Sequence, residues 1–212
     1  MKTYHKIETI YDRDINGTKR LIEGKFRNET VEYLATCEWE FTEKIDGTNI
    51  RIHWDGHWIT FGGRTDKAII PTPLRKKLEE IFINDEAEQM FEQKFGETEV
   101  TLFGEGYGVK IQNGGNYRPD VGFILFDVLI GDNYQNRETV EDIAKTFGLE
   151  IVPIVLRGTI QEAVDFIKTN PDSTIGKAKM EGVVGRPKVE LRDRCGNRVI
   201  VKIKCRDFGG EV

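Results

Sequence analysis

Cysteine is scarce in this chain of 212 residues. Cys37, Cys195 and Cys205 are the only three, and none stands in a C-x-x-C spacing. An odd, unpaired set argues against a disulfide framework and against a zinc site, so reduced thiols in or near strands are expected. Serine is scarcer still. Ser173 is the only one, set in a Pro/Asp/Thr turn, which leaves a serine-nucleophile mechanism without a candidate. No apolar run approaches the length of a membrane span, and Met1-Lys2-Thr3-Tyr4-His5-Lys6 lacks the apolar stretch of a secretory signal. A cytoplasmic protein without a membrane partner is the expectation. The chain also lacks repeats, low-complexity tracts and linkers, so one domain over residues 1–212 is expected, with no accessory domain after Lys204.

What is present is charge, unevenly placed. The net charge is -5, yet the stretch from Lys177 to Arg206 holds ten basic residues against Glu181, Glu190 and Asp193, a local +7 in a remainder of -12. A basic block in an acidic protein reads either as a local polyanion site or as a solvated strand face.

Periodicity gives strands with helices inserted. Ile50 to Trp54 and His57 to Phe61, joined at Asp55-Gly56, read as a hairpin with a two-residue turn. His53 and His57 fall on different faces of it, which suits packing or solvent contact better than a metal. Pro71-Thr72-Pro73 opens a helix carrying Leu74, Leu78, Ile81 and Phe82, and a second runs through Ala87 and Met90 toward Gly96. Strands are predicted over 99–103, 121–130, 151–156, 180–184, 189–192 and 199–205, with helices over 139–147 and 160–169, the last capped by Thr159.

The residues that carry chemistry begin at Lys44-Ile45-Asp46-Gly47. Alone the tetrapeptide is ordinary turn chemistry. It gains meaning from Glu105, Phe126-Asp127, Glu181-Gly182 and Lys202-Ile203-Lys204 downstream. A lysine attacks a nucleotide α-phosphorus only as the free amine. Its ordinary pKa of roughly 10.4 must then be lowered by cationic neighbours and desolvation. Lys202 and Lys204, two apart on one strand, point to one face and suit both that task and phosphate binding. Gly104-Glu105-Gly106-Tyr107-Gly108 fits no phosphate-loop pattern. Its glycines instead let backbone approach a ligand while Glu105 accepts from a sugar hydroxyl. An aromatic on Phe123 to Asp127 can stack on a purine, and Glu181 at a strand start can hold a divalent cation.

Taken in order, these motifs resemble the covalent nucleotidyltransferases, comprising ATP-dependent DNA ligases, RNA ligases and mRNA capping enzymes, and most closely the RNA ligase 2 family. Thr42-Glu43-Lys44-Ile45-Asp46-Gly47-Thr48-Asn49 resembles the nucleotidyl motif, and Arg64 sits where that family places an essential arginine. Phe103-Gly104-Glu105, Phe126-Asp127, Glu181 to Val184 and Arg198 to Cys205 match the motifs that follow, over about residues 40–208. Two positions depart from the pattern: Asp46 stands where some members carry histidine, and Arg186 where lysine is usual.

The resemblance implies an α+β fold of two antiparallel sheets flanking a nucleotide cleft. It implies an ATP-dependent RNA ligase with a lysyl-AMP on Lys44, and Mg2+ or Mn2+ on Asp46 and Glu181. Asp46, Arg64, Glu181, Lys202 and Lys204 would be catalytic with Lys44, and Glu43, Ile45, Asn49, Arg64, Glu105, Phe126, Lys202 and Lys204 would bind the nucleotide. The substrates implied are RNA 5'-phosphate and 3'-hydroxyl ends, in RNA repair, with a separate end-processing or substrate-binding protein as a partner. A minimal DNA ligase, a GTP-using capping enzyme and a non-catalytic RNA-end-binding module remain as alternatives.

Overall fold

The computed structural model describes residues 1–112 and 114–210. In chain order these form β1 (Glu8–Thr9), β2 (Tyr11–Arg13), β3 (Leu21–Phe26), α1 (Glu29–Tyr33), β4 (Trp39–Lys44), β5 (Thr48–Trp54), β6 (Ile59–Gly62), α2 (Thr72–Phe82), α3 (Asp85–Phe95), β7 (Val100–Gly108), β8 (Val121–Ile130), β9 (Asn133–Tyr134), α4 (Arg137–Thr146), β10 (Glu150–Ile151), β11 (Ile154–Gly158), α5 (Ile160–Lys168), β12 (Gly182–Pro187) and β13 (Val201–Lys204), with a 3-10 turn at Cys205–Phe208. They divide into two compact units. The first holds Met1–His5 and Asp46–Val152, the second Lys6–Ile45 and the chain from Pro153 onward.

In the first unit the sheet order is β10-β8-β7-β5-β6, with β9 on β8. Alternation along these strands sends Ile50, Ile52, Trp54, Leu102, Leu125 and Val128 to one face, where Leu74, Leu78, Phe82, Phe91, Val140 and Ile143 of α2, α3 and α4 bury them. Asn84 and Asn136 cap α3 and α4 through their side chains, and Gly96 and Gly148 end those two helical segments with positive φ. β7 outruns its predicted end at Phe103 because the glycines that follow permit close approach. A Cβ on Gly104 would strike the Phe123 ring.

In the second unit the order is β1-β13-β12-β4-β11, with β2 and β3 paired as a separate hairpin. Trp39, Phe41, Val183, Val201 and Ile203 pack on Ile160, Ala163, Val164 and Ile167 of α5. That helix opens with a capping box between Thr159 and Glu162.

The class is α+β, as the resemblance implied, and the sheets are antiparallel except at two short edges, β1 on β13 and β10 on β8. Three local readings need correction. Trp54 pairs with Ile59, so the hairpin turn spans Asp55–Trp58, where the Asp55 carboxylate accepts from the amides of His57 and Trp58, and His57 lies in the loop. The single strand expected over 151–156 is two strands, β10 and β11, in different sheets. Residues 189–192 form no strand, only the bridge Arg192–Arg198 beside a turn held by the Asp193 carboxylate.

Candidate active-site residues

In the second unit three strands bring three motif residues together. Gly182 lies opposite Lys44 on one side and opposite Lys204 on the other, so two lysines flank the start of β12. Glu181, just before it, reaches both: Oε2 lies 2.5 Å from Lys44 Nζ and Oε1 2.5 Å from Lys204 Nζ. Its side chain is only 6% exposed. Burial pushes this carboxyl upward, but the two ammonium groups outweigh it and hold the group below its ordinary value. Glu181 is therefore an anion shared by two cations. Cationic neighbours were expected around Lys44 and a divalent cation on Glu181, whereas the structure interposes the Glu181 carboxylate between Lys44 and Lys204.

Backbone geometry sets this arrangement. Gly182 has φ +154, and a Cβ there would run into the Ile203 carbonyl and come within 2.8 Å of Lys204 Cα. The Cys205 amide donates to the Glu181 carbonyl at 3.0 Å, closing the row. Burial, reinforced by the negative charge of Glu181, raises the Cys205 thiol to about 11, so it stays protonated beside the lysines. Lys202 shares the face of Lys204, one row along, paired with Val184 and Thr9. Glu43 faces the other way. Its buried carboxylate accepts from the Ser173 and Thr174 hydroxyls, each at 2.5 Å, and from the Thr174 amide, so this side chain holds the turn that leads to Glu181.

In the first unit the sheet face away from the helices carries the other motif residues. Asn49 pairs with Glu105, and Glu105 with Ile124, in one cross-strand row. Asn49 Oδ1 is buried with no hydrogen-bond partner among the described residues. Phe126 falls at a β-bulge: Phe103 pairs with Asp127 and Gly104 with Leu125, leaving Phe126 unmatched and its ring re-aimed. Asp127 is wholly buried and accepts from Tyr4 Oη at 2.7 Å, while the Tyr4 ring meets Phe126 edge-on at 5.1 Å. Arg64 is exposed. Its loop hangs on Arg51, fully buried, which donates to the Gly63 carbonyl at 2.7 Å, to Asp66 at 2.8 Å and to the carbonyls of Met1 and Lys2. Ile45 is buried and ends the first segment of the second unit, and Asp46 begins the main part of the first.

Sequence reasoning missed Tyr4 and Arg51. Arg51 had a signal, a lone arginine between Ile50 and Ile52 in an alternating strand. Tyr4 had none, because its partner is 123 residues away.

This fold, two units built on largely antiparallel sheets, is that of solved nucleotide-joining enzymes. An RNA ligase of Naegleria gruberi, in a variant without ligand, superposes with a TM-score of 0.65 at 18% identity, over 85% of this chain and 53% of that one. Another variant of the same ligase, with ATP and Mn, gives 0.67 at 18% identity over 96% and 56%. The ligase with PPi gives 0.63 at 19% identity over 96% and 62%. The chain thus spans a little over half the length of these ligases. No curated protein matches it. The RNA ligase family profile matches residues 37–204, and the chain belongs to that family.

Proposed function

We propose that this chain is an ATP-dependent RNA ligase working through a lysyl-AMP on Lys44. The observation that carries the reading is the buried Glu181 carboxylate holding Lys44 and Lys204 at 2.5 Å each, just before β12 and within the span that the RNA ligase family matches. Lys44 Nζ, once it gives up a proton, attacks the ATP α-phosphorus. The bond to the β-phosphate oxygen breaks and pyrophosphate leaves. AMP then passes to an RNA 5'-phosphate, and a 3'-hydroxyl displaces it to seal the strand.

Negative charge grows on phosphoryl oxygens at each step, so fixed cations carry most of the acceleration. Lys202, Lys204 and Arg64 take that role. Glu105 holds ribose and the Phe126 ring the adenine, with Asn49 Oδ1 taking a donor from the nucleotide. Asp46 and Glu181 are oxygen donors of the kind that hold magnesium or manganese, directly or through water, and such an ion supplies further charge neutralisation. The solved Naegleria ligase with ATP and Mn supports this choice of nucleotide and ion. The wider reading is RNA end repair in the cytoplasm, with a separate protein preparing or presenting the ends.

Incubation with labelled ATP and Mg2+ or Mn2+, followed by denaturation, tests the proposal. An acid-labile adduct is expected on the wild-type protein and none on Lys44→Ala. Lys204→Ala should slow adduct formation by about 10^2-fold, as for loss of one key electrostatic donor. An undiminished adduct on Lys44→Ala would sink the assignment, and equal labelling by GTP would favour a capping enzyme.

A further inference from the structure

A second cationic site lies in the second unit, built largely from residues outside the matched motifs. The β2–β3 hairpin is closed by bonds from the Lys19 amide to the Asp14 carbonyl at 2.9 Å and from the Asp14 amide to the Arg20 carbonyl at 3.0 Å. The Asp14 carboxylate accepts from the Thr18 amide at 2.8 Å and fixes the tip. Arg13 joins this hairpin to the 3-10 turn after β13. Its guanidinium donates to Asp207 Oδ1 at 2.7 Å and to the Lys19 carbonyl at 3.2 Å.

Between the two segments is a cavity of about 470 Å³ lined by Arg13, Lys19, Arg20, Arg206, Asp207 and Phe208, with Gly209 at its edge. Four cations stand against one carboxylate, in a volume typical of ligand sites. The charge calls for an anion. Asp207 calls for something more: its side chain is 6% exposed, and Oδ2 is buried without a hydrogen-bond partner among the described residues. A phosphodiester anion has no donor to give that oxygen. A ribose 2'-hydroxyl has one, on the same molecule as the phosphates. Phe208 also lines the cavity, with Lys168 Nζ 5.8 Å from its ring centroid.

We propose that this cavity binds one ribonucleotide step of the RNA strand, its phosphates on Lys19, Arg20 and Arg206 and its 2'-hydroxyl on Asp207. The inference rests on the RNA ligase reading for its choice of polyanion. Arg206 closes the basic block seen in the sequence, but Arg13, Lys19 and Arg20 come from the opposite end of the chain. The site is therefore invisible to a charge count along the sequence.

The test is fluorescence anisotropy of the full chain with labelled single-stranded RNA and DNA of one sequence, across a salt series, alongside adduct formation with labelled ATP. The double variant Lys19→Ala/Arg20→Ala should weaken RNA binding about tenfold at low salt. It should also flatten the slope of log K against log salt by about 1.4, two single-strand phosphate contacts. Adduct formation should be unchanged. Asp207→Asn should reduce the preference for RNA over DNA, and Asp207→Glu should preserve more of it. RNA binding unaltered in the double variant overturns the site. Equal loss for RNA and DNA with no effect of Asp207→Asn overturns the hydroxyl contact. Complete competition by millimolar inorganic phosphate would make it a free-anion site and overturn the RNA assignment. If wild-type protein forms no adduct while the double variant still loses RNA affinity, the ligase reading fails and the site stands.

Discussion

At the scale of single residues the decisive one is Glu181. Its carboxyl is held below the ordinary value by Lys44 and Lys204 despite burial. A lowered folded-state value means that this stabilisation is complete above the unfolded carboxyl pKa, roughly 4.3, and is lost as pH falls through the folded value. Glu181→Gln leaves two ammonium groups facing a neutral amide in a largely buried setting. Breaking such a pair costs about 3 kcal/mol, toward the low end because Lys44 keeps 24% exposure. Thermal denaturation at pH 7 should show a fall in Tm of about 6–12 °C for a chain of this size. The deficit should shrink as pH falls below the unfolded carboxyl value toward the lowered folded one, where wild-type Glu181 also becomes neutral. A pH-independent difference would contradict the charge-sharing role.

At the scale of elements, three strands hold the lysines, and Gly182 sets their spacing. Gly182→Ala places a methyl against the Ile203 carbonyl, so β13 must move away from β12. Adduct formation should fall at least as far as in Lys204→Ala, with a loss of stability of about 1–3 kcal/mol for the strained backbone. Wild-type rate and Tm together would show that the contact is relieved without cost. Part of the fold was legible: Val121–Ile130 was read at its observed limits, and α2 and α5 to within a residue or so, whereas β4, which ends in Lys44, was not read as a strand and β7 was read short. The elements that were read advertise themselves through periodicity and caps. The first 38 residues did not, because β1, β2 and β3 are short and their pairings lie across the chain, as for Thr9 with Lys202. The Phe126 bulge was equally silent, since a bulge depends on the partner strand's register and leaves no mark of its own in sequence. Among site residues, Lys44, Glu181 and Lys204 were legible as motif members, whereas the inward turn of Glu43 toward Ser173 and Thr174 was not.

At the scale of the whole molecule, the chain passes between the two units after His5, after Ile45 and after Val152. Ribosomes deliver it in that order. Residues 46–152 supply every strand of the first unit, so this sheet is complete once Val152 emerges. β4 is made early, yet its sheet partners β11 and β12 begin at Ile154 and Gly182. The strand that ends in Lys44 must therefore wait through more than a hundred codons with Trp39 and Phe41 uncovered, a nascent segment suited to chaperone capture. A released chain ending at Val152 should, in hydrogen exchange, protect amides of β5, β7 and β8 while those of β4 exchange freely. Protection of β4 in that fragment would mean it finds an interim partner. The proposed nucleophile, Lys44, would then be translated well before the strands that surround it, which makes it a late checkpoint on synthesis.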